Sequence, residues 1–133
     1  MIMTQNEKDL LLKDLSSRLP YGVKASTKIG GNIKISFIGE DTIIGEDGDS
    51  YDISFITPYL FPLSSMTERQ KDEIRNRFCY EWEPDEDISD LWKHELEFGY
   101  ALEFIQWCYE NHIDINGLIP MGLANEAPEG MYN

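Results

Sequence analysis

Two histidines limit the acid–base and metal chemistry open to this chain of 133 residues. His94 has Asp90 four residues before it and Glu97 three after, so a helix carries all three on one face. Such a trio could pass a proton or hold a metal weakly. The run His94-Glu95-Leu96-Glu97-Phe98 lacks the second histidine of HExxH, however, and a histidine between carboxylates also serves as a plain ion-pair partner on a wet face. His112, ahead of Asp114 near a predicted helix end, suits an interaction with the helix dipole or a terminal carbonyl. Asp47-Gly48-Asp49-Ser50-Tyr51-Asp52 has the acid spacing of a calcium loop but puts Asp52 where an EF-hand needs glycine and Pro58 where it needs glutamate. A hairpin turn explains it better. With no GxSxG and no phosphate-cradling glycine loop, the residue pattern implies no catalytic centre beyond the weak His94 trio, no cofactor and no metal.

Cys79 and Cys108 form no CxxC pair and lie among aromatics in predicted helices, as buried reduced thiols do. The polar, acidic start Met1-Ile2-Met3-Thr4-Gln5-Asn6-Glu7 has neither the basic nor the apolar region of a signal peptide, which points to the cytoplasm. No apolar run reaches the roughly 18 residues of a membrane span.

Twenty-five acids against eleven Lys and Arg give a net charge of −14, which repels nucleic acid. An aromatic content of 12% argues against a disordered acidic tail. The charge is divided unevenly: residues 1–39 carry +3, 40–67 carry −6, 68–80 carry +1 and 81–133 carry −12. Such polarity serves solubility, and it also suits docking to a basic protein partner through the acidic stretch around residues 81–97, with Glu81, Glu83, Asp85, Glu86 and Asp87.

The elements that position these residues follow from periodicity. Residues 4–19 predict an amphipathic helix through Leu12, Leu15 and Leu19, with Leu11 beside them, opened by a Thr4/Glu7 capping box and ended by Pro20. Over 22–57 the period falls to two, which predicts an antiparallel meander of three or four strands with a hairpin at Asp47-Gly48. Pro58-Tyr59-Leu60-Phe61-Pro62-Leu63 reads as an extended apolar connector, because its prolines lack ladder donors. A second helix spans 65–80, capped by Ser65 or Thr67 and burying Ile74 and Phe78; a third, long one spans 88–111. A short helical turn at 117–124 and a loop-like tail at 125–133 close the chain.

The third helix is apolar around much of its circumference: eight of the ten residues from Tyr100 to Tyr109 are apolar or aromatic. It is expected either at the centre of the domain or with a flank, Trp107 and Tyr100, forming a homodimer or partner surface.

Three blocks carry a resemblance. Leu11-Leu12-Lys13-Asp14-Leu15 with Arg18-Leu19-Pro20-Tyr21-Gly22-Val23-Lys24, then Pro58 to Thr67, then Gly117-Leu118-Ile119 through Gly122-Leu123-Ala124 to Glu126-Ala127-Pro128-Glu129-Gly130-Met131-Tyr132 resemble a group of small proteins of gut Bacteroides-type bacteria and their phages or prophages. Members of that group often have an aromatic and an arginine where this chain has Ile113 and Asn116. The resemblance implies a mobile-element or gut-bacterial origin and no particular activity.

The resulting expectation is a single α+β domain over 1–133, a three- to four-stranded antiparallel sheet packed by about three helices. Its leading function is a non-enzymatic protein-interaction or accessory module. The alternatives are a small-molecule or nucleotide-binding protein with a pocket beside the Tyr/Trp-rich helix, lined by Tyr100, Trp107 and Phe61, and an enzyme centred on His94, Asp90 and Glu97.

Overall fold

A computed structural model of the chain describes residues 3–77 and 98–132, with 98–101 described by backbone alone. Its class is α+β. The chain folds as two compact units, Met1–Leu60 with Asn116–Asn133, and Phe61–Ile115.

The first unit opens on α1 (Gln5–Arg18), where the predicted capping box forms: Thr4 Oγ1 accepts from Glu7 N at 3.1 Å and Glu7 Oε1 accepts from Thr4 N at 2.9 Å. The buried stripe of α1 is Leu11, Asp14, Leu15 and Arg18, a spacing of three, one and three that keeps all four on one face. Leu12 and Leu19 are only half-buried, because the buried face includes an ion pair that apolar periodicity alone does not reveal. Arg18 Nε donates to Asp14 Oδ1 at 2.6 Å and Asn116 Nδ2 donates to Asp14 Oδ2 at 2.8 Å, so the buried carboxylate gains hydrogen bonds in place of water.

Six strands are found among the described residues: β1 (Lys24–Thr27), β2 (Asn32–Ile38), β3 (Thr42–Gly45), β4 (Ser50–Asp52), β5 (Ile56–Leu60) and β6 (Asn125–Glu126). Their order is β4-β3-β2-β1-β5-β6, antiparallel except for the parallel β5–β6 pair. The expected three- to four-stranded antiparallel sheet is thereby corrected to six strands of mixed direction. The hairpin at Asp47-Gly48 forms, but not as the two-residue type I′ turn that this dipeptide suggests: Gly48 alone takes positive φ, +87°, Gly48 N donates to Gly45 O, and Asp49 N donates to Asp47 Oδ1 at 3.0 Å.

Tyr51–Thr57 is not one strand. A 3₁₀ turn, Ile53–Phe55, breaks it, and the chain passes from β4 at one end of the sheet to β5 beyond β1. Four peptide steps reach about 14 Å, whereas four strand spacings in a flat sheet would be about 19 Å. The sheet is therefore curled, and a register shift in β2 between Ile35 and Phe37 provides the kink. Val23, Ala25, Ile33, Ile35, Ile43, Ile53, Ile56 and Leu60 fill its concave side with Leu11 and Leu15 of α1.

The connector expected at Pro58 is a strand instead. Lys28 N donates to Phe55 O, which places the hydrogen-bonded pairs of the β1–β5 ladder at Lys28 and Ser26. Pro58 faces Ala25, in the alternate register, where no N–H is needed toward β1. The parallel strand β6 starts opposite Tyr59, one residue later. Proline is tolerated here by parity.

In the second unit, α2 (Glu68–Arg77) begins after Thr67, whose hydroxyl accepts from Gln70 N while Gln70 Oε1 accepts from Thr67 N. Of the two predicted caps, Thr67 is the one used. α3 (Phe98–Glu110) packs Phe104, Trp107 and Cys108 with Met66, Ile74 and Ile113. His112 stands in the left-handed region at φ +56°, with His112 N donating to Tyr109 O and Ile113 N to Cys108 O. This is the Schellman arrangement, with a histidine where glycine is usual. The predicted stretches 78–80 and 88–97 lie outside the described residues.

The end of the chain also differs from expectation. Residues 117–124 form turns, with Leu123 N donating to Leu118 O, and the segment from 125 joins the sheet as β6 rather than hanging as a loop.

Candidate functional site

The weak catalytic trio His94, Asp90 and Glu97 lies outside the described residues, as do Glu81, Glu83, Asp85, Glu86, Asp87 and Cys79. Tyr100 is placed by its helical backbone only. Trp107, expected on an interaction flank, is 3% exposed; its ring stacks with Phe104 at 6.4 Å between centroids, and its Nε1 donates to Glu73 Oε1 at 3.0 Å. The ring and its one polar atom are thus engaged within its own unit, as in a core residue. Cys108 is fully buried beside it.

Among the described residues, no group of three His, Cys, Asp or Glu side chains is placed to hold a metal. The Asp47 carboxylate of the calcium-like stretch is occupied by its own turn, accepting from Asp49 N and from the Tyr51 hydroxyl at 3.2 Å. Burial, and then the charge and hydrogen bond of Asp47, raise the pKa of Tyr51 and keep its proton in that contact.

The geometry instead draws attention to the rim of the first unit. A cleft of about 190 Å³ is lined by Met3, Glu7, Lys28, Ser54, Ile56, Thr57, Gly122 and Leu123. Three elements build it: the start of α1, the β1–β2 turn with the start of β5, and the turn that precedes β6. Five large apolar side chains are exposed among the described residues, and three of them, Ile29 (81%), Phe55 (47%) and Met121 (42%), are chain neighbours of lining residues. Ile29 is held outward by a turn in which Gly30 and Gly31 take φ +88° and +103°. Lys28 lays its ammonium over the Phe55 ring, 5.4 Å from the centroid, a cation–π contact at the edge of the cleft. At this volume the cleft is smaller than the several hundred Å³ that enclose a cofactor or nucleotide.

A second constellation sits where β1 meets β5. Tyr132 inserts its hydroxyl at the end of the ladder, accepting from Lys24 N at 2.9 Å and donating to Tyr59 O at 2.7 Å, with Lys24 O the longer alternative at 3.2 Å. Burial pushes the Tyr132 phenol up to about 12; a backbone hydrogen bond to Lys24 and the charge of Arg18 oppose this, and Tyr59 adds to it. Lys24 Nζ donates to Met131 O at 2.8 Å and lies 5.8 Å from the Tyr132 ring centroid. Neither constellation has a signal in the sequence. Exposed apolar residues at turns carry no periodicity, and a tyrosine nine residues beyond Leu123 looks like part of a tail.

No protein-family model, curated protein or solved structure matches the chain. No helix among the described residues is long and apolar enough to cross a membrane.

Proposed function

We propose that this protein is a non-enzymatic interaction module, an accessory factor of phage, prophage or gut-bacterial type, that binds a protein partner through the apolar rim of its sheet unit. The observation that carries this reading is that three exposed apolar side chains, Ile29, Phe55 and Met121, each adjoin in the chain a residue that lines one small cleft. Exposed apolar side chains scattered singly are ordinary, whereas several around one concavity are the composition of a contact surface. The volume of the cleft favours an anchoring side chain over a bound cofactor.

The test is capture of partners from bacterial lysate by the wild-type chain and by an Ile29→Ser/Phe55→Ser double variant shown to fold by circular dichroism. Partners held through the apolar rim stay bound at high salt and are lost with the double variant. Retention of the same partners by the variant, or capture of nothing by either, refutes the reading. Capture that disappears only at high salt supports instead a basic partner on the acidic stretch around residues 81–97.

A further inference from the structure

The last segment of the chain is attached differently from everything else in its unit. Leu123 and Ala124 are buried in the apolar core, but from Asn125 to Tyr132 no side chain is fully buried. Ala127, Met131 and Tyr132 are half-buried, and the contacts described for the segment are polar. Asn125 and Glu126 pair with Tyr59 and Leu60 in a strand of two residues, and Ala127 N donates to Leu60 O at 2.7 Å. Asn125 Nδ2 donates to Ser26 Oγ, Lys24 Nζ holds Met131 O, and the Tyr132 hydroxyl closes the set. Segments held by few apolar contacts open at a free energy well below that of global unfolding. Here the boundary is sharp, because the anchor at Leu123 and Ala124 belongs to the core and the eight described residues after it do not.

The Tyr132 contact is the decisive one. The ladder parity set by Lys28 and Ser26 makes Lys24 and Tyr59 the next hydrogen-bonded pair, yet the β1–β5 register ends at Ala25 and Pro58. In place of a direct bond, the phenolic hydroxyl bridges Lys24 N to Tyr59 O. Docking of the segment and completion of the ladder are therefore one event.

We propose that residues 125–132 form a releasable strap, latched by the Tyr132 hydroxyl, that covers the edge of β5 at Tyr59 and Leu60, and that the uncovered edge accepts a parallel strand of the same kind from another chain. The edge strand in place is only two residues long, which makes it a weak occupant of a backbone template. An incoming segment that repeats this one, extended at its start and carrying a tyrosine seven residues after the first paired position, finds both the edge and the latch site. The segment that demonstrably fits is Asn125 to Tyr132 itself, so the occupant proposed is that segment of a second copy.

Hydrogen exchange on the full-length chain, wild type against Tyr132→Phe, tests the latch. The amides of Lys24 and Ala127 are expected to exchange at least about tenfold faster in the variant, with those of Ile35 and of α1 unchanged. Equal acceleration throughout the unit makes Tyr132 an ordinary stabilising residue, and no acceleration removes the latch; either result overturns the proposal. Lys24→Met, which removes the hold on Met131 but keeps the phenol, is the second variant, expected to quicken Ala127 by a smaller factor. A fluorescent peptide with the sequence of residues 125–133 then probes the edge. It is expected to bind Tyr132→Phe at least about tenfold more tightly than wild type, because apparent affinity scales with the fraction of open edge. Equal binding to both, or to neither, refutes strand acceptance.

Discussion

Helix α1 and the strap at 125–132 are the two terminal segments of the same unit, and both lie against the same curled sheet, but by opposite means. The helix buries Leu11 and Leu15 completely and encloses an Asp14–Arg18 pair that water does not reach. The strap buries no side chain completely and is held by hydrogen bonds at its edges. Apolar burial is lost only when the whole face is exposed, so it ties a segment to the global stability of its unit. A hydrogen bond to water replaces one to protein at a net difference of only about 1 kcal/mol. The contrast separates what the fold cannot release from what it can.

The largest way to break the comparison is at the helix. Leu15→Ala should cost about 2–5 kcal/mol, measured by urea unfolding, and should lower the stability of the whole sheet unit together. A loss confined to the first turns of α1 would mean that the helix is as detachable as the strap. Alkaline pH acts on the strap through Tyr132. The Tyr132 phenol titrates near 12 in the fold against 10.0 for an ordinary tyrosine, so the folded state keeps its proton longer. Its contribution is complete below about pH 10 and falls away as the pH rises through about 12. Tyr132→Phe should abolish that part of the alkaline loss, whose midpoint is set first by burial of the phenol and then by the Lys24 backbone, Arg18 and Tyr59. The smallest effect is at the N-cap. Thr4→Ala should cost about 1 kcal/mol and should speed exchange at the Glu7 and Lys8 amides without touching the core amides. Proportionate acceleration of the strap amides would show that the two ends are coupled.

The parts of the fold legible in the sequence are those set by neighbours along the chain. The Thr4/Glu7 box, the Asp47-Gly48 hairpin, the burial of Ile33 and Ile35 on one face of β2, and the Thr67 cap as one of two options all depend on contacts within a few residues, whereas Phe37, beyond the register shift, faces out. The exchange of Leu12 for Leu11, Asp14 and Arg18 as the inner stripe was not legible, because Asp14 is acceptable inside only once Arg18 and Asn116 satisfy it. Neither was the strand at Pro58, whose missing donor matters or not according to a register set across the sheet. Of the candidate site residues, Trp107 is a core residue because Glu73, from another helix, takes its indole N–H. The cleft of the first unit is lined by residues from turns far apart in the chain, and Ile29, Phe55 and Met121 are exposed beside those residues in sequence.

The sequence by itself determined the α+β class, the acidic character, the lack of a GxSxG or HExxH motif and the bounds of α1 and the end of α3, because each follows from composition or from short-range spacing. Tertiary structure decided the six-strand order, the buried ion pair, the apolar rim and the place of the last eight described residues. Each of those depends on which groups meet across the sheet. The carboxyl-terminal segment shows this most plainly: its proline, glycine and acids carry the composition of a loop, and only the paired edge of β5 and the open Lys24–Tyr59 position make a strand and a latch of it.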